Sequence, residues 1–302
     1  MTGADEVRFD GRVAVVTGAG GGLGREHALL LAARGARVVV NDVGGSVDGS
    51  GHDTSPTQSV VKEIIELGGD AVGNFSSVAT PEGGAEIIET AIERYGRLDV
   101  VVNNAGILRD QSFAKVDPAT VKAVLSVHLN GAINVTHAAW PIFREQKYGR
   151  VINTTSPAGV FGNFGQAIYG TAKAGLVGLT KTLAVEGGKY GITANAIAPF
   201  ALTRMTESII GPLAPRVRPG LVSPLVAYLA SERCCETGSV YTVGGGRVAK
   251  FFTAMTDGWT RKDDQLTPED VRDHWMEIND TSKFTLPQGM NDDFRALKRA
   301  LS

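Results

Sequence analysis

A chain of 302 residues with 43% apolar side chains is long enough for one large α/β domain. A formal net charge of −2 leaves no basic footprint for nucleic acid, and no run approaches the roughly 18 apolar residues of a membrane span. The only two cysteines, Cys234 and Cys235, are adjacent and the five histidines are scattered, which argues against a disulfide framework, a zinc finger and any HExxH metal site. The polar, acidic start MTGADEVRFDGR is no secretory signal and the ending RALS is no SKL-type address, so a cytoplasmic chain is expected.

The first predicted strand, Val13–Thr17, runs into the glycine turn TGAGGGLG and a helix beginning near Arg25. The second, Arg37–Asn41, ends on Asp42 and is followed by a Gly-, Ser- and Asp-rich stretch, Val43–Pro56, expected as a flexible surface loop. Val60, Ile64 and Leu67 then recur at helical spacing. A strand at Leu98–Asn103 leads into NNAG with Asn104, and a long helical pattern follows with Asn130 at an expected kink. A strand at Arg150–Thr155 is closed by Ser156, and further strands are expected at Ile192–Ile197 and Ser239–Val243. Several of these runs are apolar without alternation, as in strands buried on both faces of a parallel sheet. The alternation predicts a Rossmann-type, doubly wound α/β domain over residues 1–246, with its ligand crevice at the strands' carboxyl ends. The more charged remainder, 247–302, reads as a helical extension packed on that domain or at a dimer interface. In it Thr267 and Asp270 form a capping-box pattern ahead of Val271, Trp275 and Ile278.

A tight strand-to-helix turn needs glycine where φ is positive or backbones approach closely, and the helix N-terminus then offers free N–H groups to a pyrophosphate. Gly18, Gly22 and Gly24 give GxxxGxG, while Gly18, Gly21 and Gly24 give GxxGxxG equally well. The candidate cradle is Gly18, Gly22, Leu23 and Gly24. Asp42, 24 residues after Gly18, can accept hydrogen bonds from ribose hydroxyls and repels a 2′-phosphate. No Lys or Arg lies inside the turn or beside Asp42, which favours NAD over NADP.

Of six tyrosines only Tyr169 has a lysine four residues on, Lys173, on the same helix face. An ammonium beside a phenol stabilises the phenolate; lowering its pKa by roughly 3 units takes about 4 kcal/mol. A phenolate so tuned is a competent base for an alcohol proton. Ser156, 13 residues before Tyr169, has a hydroxyl suited to hold the substrate oxygen, and the Asn104 amide suits backbone or cofactor.

Together TGAGGGLG, NNAG, Ser156 and YGTAK resemble the short-chain dehydrogenase/reductases. The resemblance implies Tyr169 as general base and Lys173 as both ribose ligand and tuner of the phenol. It makes Ser156 the residue orienting substrate and Asn130 the holder of a relay water. Stretches such as VVVNDVGG, VVVNNAGILRD, GVFGNFGQAIYGTAK and TPEDVRDHW are similar, more narrowly, to the (3R)-hydroxyacyl-CoA dehydrogenase portions of type 2 peroxisomal multifunctional enzymes. This implies NAD-linked oxidation of a (3R)-3-hydroxyacyl-CoA or a 17β-hydroxysteroid in a homodimer or homotetramer. It also implies adenine-side contacts at Ser77 and Val78, nicotinamide-side contacts from Ala201 to Arg204 including Thr203, and a substrate lid over Arg204–Gly220. The chain departs at Pro199–Phe200, where glycine usually follows the proline, and in the loop after Asp42. The alternatives are an NADPH-linked 3-oxoacyl carrier-protein reductase, which Asp42 opposes, and a non-catalytic NAD sensor, which the intact Ser156, Tyr169 and Lys173 oppose.

Overall fold

The computed structural model describes residues 6–203, 211–263 and 265–301. Strands β1 (Val13–Thr17), β2 (Arg37–Asn41), β3 (Asp70–Asn74), β4 (Val100–Asn103), β5 (Gly149–Thr154), β6 (Ile192–Pro199) and β7 (Val240–Gly244) build one sheet. The order is β3-β2-β1-β4-β5-β6-β7, every pairing among these strands is parallel, and β8 (Arg247–Phe251) forms the edge beyond β7. The order reverses between β1 and β4, which opens a crevice at their carboxyl ends.

Why the strands read as unbroken apolar runs is visible in the packing. Ala14, Val16, Val38, Val40, Val100 and Val102 face one core with α1 (Gly22–Ala33), α2 (Ser55–Glu66) and α8 (Ser223–Ala230). Val13, Val15, Val39, Val101 and Val151 face a second core with α3 (Pro81–Tyr95) and α5 (Gly131–Gln146). Both faces are covered, so each position buries its side chain. Between α4 (Pro118–Leu125) and α5 lies a π turn, Ser126–Asn130, at the kink expected there.

Several expectations needed correction. Strand β3, DAVGN, went unforeseen because its ends are polar and a glycine interrupts it. Leu67 is 74% exposed, since α2 stops at Glu66, and of the three residues expected on its apolar face Val60 and Ile64 reach the core. The segment Val43–Pro56 is a surface loop as far as Thr54, anchored where Leu108 N–H donates to the Val47 carbonyl (2.9 Å) and Arg109 Nε to that of Asp48 (2.8 Å), and its last two residues already belong to α2. The sheet continues past Gly246 through β8, after a Gly245–Gly246 turn with φ of 58° and 83°.

The chain forms two compact units, up to Lys250 and Phe251–Ser302. The smaller holds an antiparallel pair, β9 (Met255–Thr256) with β10 (Phe284–Thr285), and three helices, α9 (Pro268–Asp273), α10 (Trp275–Ile278) and α11 (Met290–Leu301). The capping box is present: Thr267 Oγ1 accepts from Asp270 N–H (3.2 Å) and Asp270 Oδ2 accepts from Thr267 N–H (3.0 Å). The single helix expected after it breaks at His274, whose ring stacks on Trp259 at 3.9 Å.

At the amino ends of the strands, opposite the crevice, Asp99 is fully buried and accepts from Arg12 Nη1 (2.7 Å), Arg97 Nη2 (2.7 Å) and Val13 N–H (2.9 Å). Burial pushes its pKa up, but the hydrogen bonds from Arg97, Val13 and Arg12 outweigh it and hold the carboxyl below its ordinary value. A depressed folded pKa gives stability that is present above the unfolded value of about 3.9 and lost as pH falls through the folded one. Asp99→Asn is therefore expected to lower unfolding stability by about 3 kcal/mol at pH 7, because two guanidinium groups lose their buried partner. Urea unfolding checks this, and the gap between variant and parent should close as pH drops below about 4.

Candidate active site

The turn after β1 is shaped by two glycines above all. Gly18 has φ +63°, and a Cβ there would lie 2.7 Å from Ala105 Cα. A Cβ on Gly24 would lie 2.3 Å from the Gly18 carbonyl oxygen, so the first turn of α1 can fold back only on a bare backbone. Gly22 also takes positive φ, whereas Gly21 is extended with open space beside it, so the backbone needs glycine at Gly18, Gly22 and Gly24. The first N–H groups of α1, Gly22 and Leu23 among them, face out from the N-terminus without helical partners, a setting for a pyrophosphate. Thr203 stands beside this end, its Cγ2 3.8 Å from where a Gly22 Cβ would be, and Ala201 is buried just before it.

Asp42 closes β2 over the same turn. Its Oδ2 accepts from Gly20 N–H (3.0 Å) and its Oδ1 from Gly44 N–H (2.7 Å). A carboxylate has about four acceptor positions, so two stay available to ribose hydroxyls. Asn104 spends its amide on the protein: Nδ2 donates to the carbonyls of Thr17 (3.0 Å) and Gly18 (3.1 Å), fastening the loop after β4 to the glycine turn. Ser77 is exposed and Val78 buried in the loop after β3, which Asn134 Nδ2 ties to α5 through the Val78 carbonyl (2.9 Å).

Ser156 caps α6 (Pro157–Phe161), accepting from Ala158 N–H at 3.2 Å. Its hydroxyl lies near enough to the phenol of Tyr169, from the first turn of α7 (Ala167–Gly187), to pull the phenol's pKa down. Lys173, one turn further on, is only 4% exposed; its Nζ donates to the Thr154 carbonyl (2.6 Å) and lies 5.6 Å from the Tyr169 ring centre. Burial pulls its pKa down to about 7. Burial likewise pushes the Tyr169 phenol up, the Ser156 hydrogen bond pulls it back and the Asp110 carboxylate adds a smaller push upward. The lowered phenol expected from the Tyr–Lys spacing is therefore corrected for the free protein. Desolvation acts on both groups and disfavours both charged forms.

Asn130 is exposed at the end of the π turn and makes no side-chain hydrogen bond among the described residues. The residue of that turn which reaches Tyr169 is His128, buried, with its ring edge-on to the phenol at 5.2 Å. The sequence alone carries no signal for it, because a π turn shifts the face on which each residue falls. Gln166 was also missed; its Nε2 donates to Asp110 Oδ2 (2.6 Å), pinning the segment before Tyr169 to the loop after β4. Of the expected lid, 204–210 lies outside the described residues, and 211–216 and 219–221 form short 3₁₀ turns. Among the described residues no group of three or more His, Cys, Asp or Glu could hold a metal, and no helix is long and apolar enough to cross a membrane.

Residues 12–211 match the model of the short chain dehydrogenase family. A short-chain type dehydrogenase/reductase of Mycobacterium tuberculosis is 54% identical over 272 residues, 90% of this chain and 95% of that one. The full-length peroxisomal multifunctional enzyme type 2 of Drosophila melanogaster superposes with a TM-score of 0.82 at 38% identity, covering 97% of this chain but 50% of that one. A 7α-hydroxysteroid dehydrogenase complexed with NADH and 7-oxo glycochenodeoxycholic acid superposes at 0.73 and 27% identity, over 82% of this chain and 98% of that one. The glycine turn, the strand-end aspartate and the Ser156–Tyr169–Lys173 cluster lie within or beside the matched span, and the chain belongs to the short chain dehydrogenase family.

Proposed function

We propose that the chain is an NAD-dependent dehydrogenase that oxidises a secondary alcohol to a ketone. Its main substrate in this reading is a (3R)-3-hydroxyacyl-CoA, with a 17β-hydroxysteroid as a second. The observation that carries the reading is buried Lys173, its Nζ on the Thr154 carbonyl and 5.6 Å from the Tyr169 ring centre, with Ser156 beside the phenol at the same strand ends as the glycine turn. Gly18, Gly22, Leu23 and Gly24 would hold the pyrophosphate, Asp42 the adenosine ribose, Ser77 and Val78 the adenine side, and Ala201 and Thr203 the nicotinamide side, with Asn104 fixing the glycine turn and its side-chain oxygen open to the cofactor. Bound NAD would supply the acceptor for the hydride leaving the carbinol carbon. Ser156 orients the substrate oxygen and Tyr169 takes its proton, so that carbon loses a hydride as oxygen loses H⁺ and a C=O bond forms. Lys173 binds the nicotinamide ribose and steadies the negative oxygen of Tyr169. The resemblance of VVVNDVGG, GVFGNFGQAIYGTAK and TPEDVRDHW to (3R)-hydroxyacyl-CoA dehydrogenase portions supports the acyl-CoA, and the similarity to an NADH-bound hydroxysteroid dehydrogenase supports both the cofactor and the steroid. Two unpaired cysteines fit a reducing compartment, the cytoplasm in this reading. The exposed apolar stripe Met290, Phe294, Leu297 and Leu301 on α11 supports a homodimer or homotetramer.

NADH formation from a panel of 3-hydroxyacyl-CoAs and 17β-hydroxysteroids tests the reading, with turnover of the (3R)-acyl-CoA expected and none on either class contradicting it. Tyr169→Phe should cut that turnover by at least about 100-fold while NADH affinity stays near wild type. Because burial holds the phenol up, wild-type oxidation should rise with pH through neutrality. A flat profile, or a tenth of the activity left in the variant, would move the base to another residue.

The carboxylate of Asp42 should favour NAD over NADP by at least about tenfold in kcat/KM. Asp42→Ala should narrow that ratio, and equal efficiency with both cofactors in the wild type would remove Asp42 from this role.

A further inference from the structure

One carboxylate is tied to the segment that carries the proposed base. From Pro157 to Ala172 the chain has no charged side chain, and Phe161 and Phe164 stand exposed on it. The loop after β4 meets that segment at Asp110. Gln166, three residues before Tyr169, uses both ends of its amide there: Oε1 accepts from Asn163 Nδ2 (3.0 Å) and Nε2 donates to Asp110 Oδ2 (2.6 Å). The backbones join at the same place, where Gln111 N–H donates to the Gly165 carbonyl (2.9 Å) and Gly165 turns at φ +77°. The amide that faces Asp110 is a donor and favours the ionised carboxylate, against burial that raises its pKa. So held, Asp110 sends its field to the phenol and pushes Tyr169 up.

We propose that Asp110 is a specificity-determining residue, which turns away alcohols bearing a negative charge close to the carbinol carbon and admits neutral ones. Free 3-hydroxy acids fall in the first class, 3-hydroxyacyl thioesters and sterols in the second. The inference rests on the role given to Tyr169 above, which fixes where the alcohol sits. With its hydroxyl at the phenol, a 3-hydroxy acid carries its carboxylate two carbons away, inside the field of Asp110. Two cations of these segments are directed to backbone instead, Arg109 Nε to the Asp48 carbonyl (2.8 Å) and Lys173 Nζ to that of Thr154 (2.6 Å). A thioester at the same place is neutral, and the phosphates of its CoA lie at the far end of the pantetheine arm. A like charge therefore weakens the wrong ligand and leaves the right one alone. Asp110 keeps a solvent-exposed side, so the effect is that of a pair near the surface, about tenfold.

A matched pair of alcohols tests this in the full chain: (3R)-3-hydroxydecanoate and its N-acetylcysteamine thioester, with NADH formation followed at about pH 8, well above the ordinary carboxylate range. In the wild type the free acid should be poorer in kcat/KM by at least about tenfold. Asp110→Asn keeps an acceptor for Gln166 and removes the charge. It should raise the acid-to-thioester ratio by about tenfold, whereas Asp110→Glu should leave that ratio within about twofold of wild type. Any change in the strength of Tyr169 as a base cancels in the ratio, because both alcohols give their proton to it. Raising salt to about 1 M should narrow the wild-type gap and leave that of the asparagine variant, a response that a merely structural Asp110 does not produce. An unmoved ratio in the asparagine variant, or equal efficiency on acid and thioester in the wild type, overturns the assignment. If the wild type oxidises neither compound, the reading of function fails and takes this inference with it; turnover with an unmoved ratio sinks this inference alone.

Discussion

The site depends on one lysine held inside the protein without a carboxylate beside it. Lys173 Nζ reaches the Thr154 carbonyl at 2.6 Å and makes no ion pair among the described residues. A buried ammonium so placed is poorly compensated, and its pKa falls toward neutrality. The same desolvation that weakens the charge strengthens its effect on anything near it, because little water intervenes to screen the field. Tyr169, one helical turn back, lies in that field, its ring centre 5.6 Å from Nζ and Ser156 beside its phenol. Two groups that would each titrate well above neutrality in water therefore share one dry enclosure.

Parallel topology is what makes the enclosure. Every strand from β1 to β7 points its carboxyl end to the same side, so the loops after β1, β2, β4, β5 and β6 converge there. Thr154 ends β5, and its carbonyl is free to receive Lys173 because the ladder with β6 finishes there. The two sides are fastened together by Asn104, which holds the glycine turn, and by Gln166, which holds Asp110. Buried Asp99, at the far end of the same strands, ties β1 to the segment entering β4. Stability and chemistry thus occupy opposite ends of one sheet.

Much of this was legible beforehand because it rests on local rules. Glycine at Gly18 and Gly24, the strand-end Asp42, the i,i+4 pair Tyr169–Lys173 and the Thr267–Asp270 capping box all follow from spacing, and the structure has each in that geometry. What escaped depends on distant contacts. Strand β3 exists because β2 and α2 cover it, and its own residues argue weakly for a strand. The direction of the phenol's shift depends on burial, which a pair of letters four apart does not encode. That His128 sits edge-on to Tyr169 depends on the π turn Ser126–Asn130, which a helix of uniform period does not contain.

The central claim is that burial, uncompensated by any neighbouring carboxylate, sets the state of Lys173. Its titration can be followed directly in the free protein by NMR of lysines labelled at Cε, with the Lys173 signal assigned by its loss in Lys173→Met. The account predicts a midpoint near about 7, well below the others. A midpoint at the ordinary lysine value of about 10.4 would contradict it.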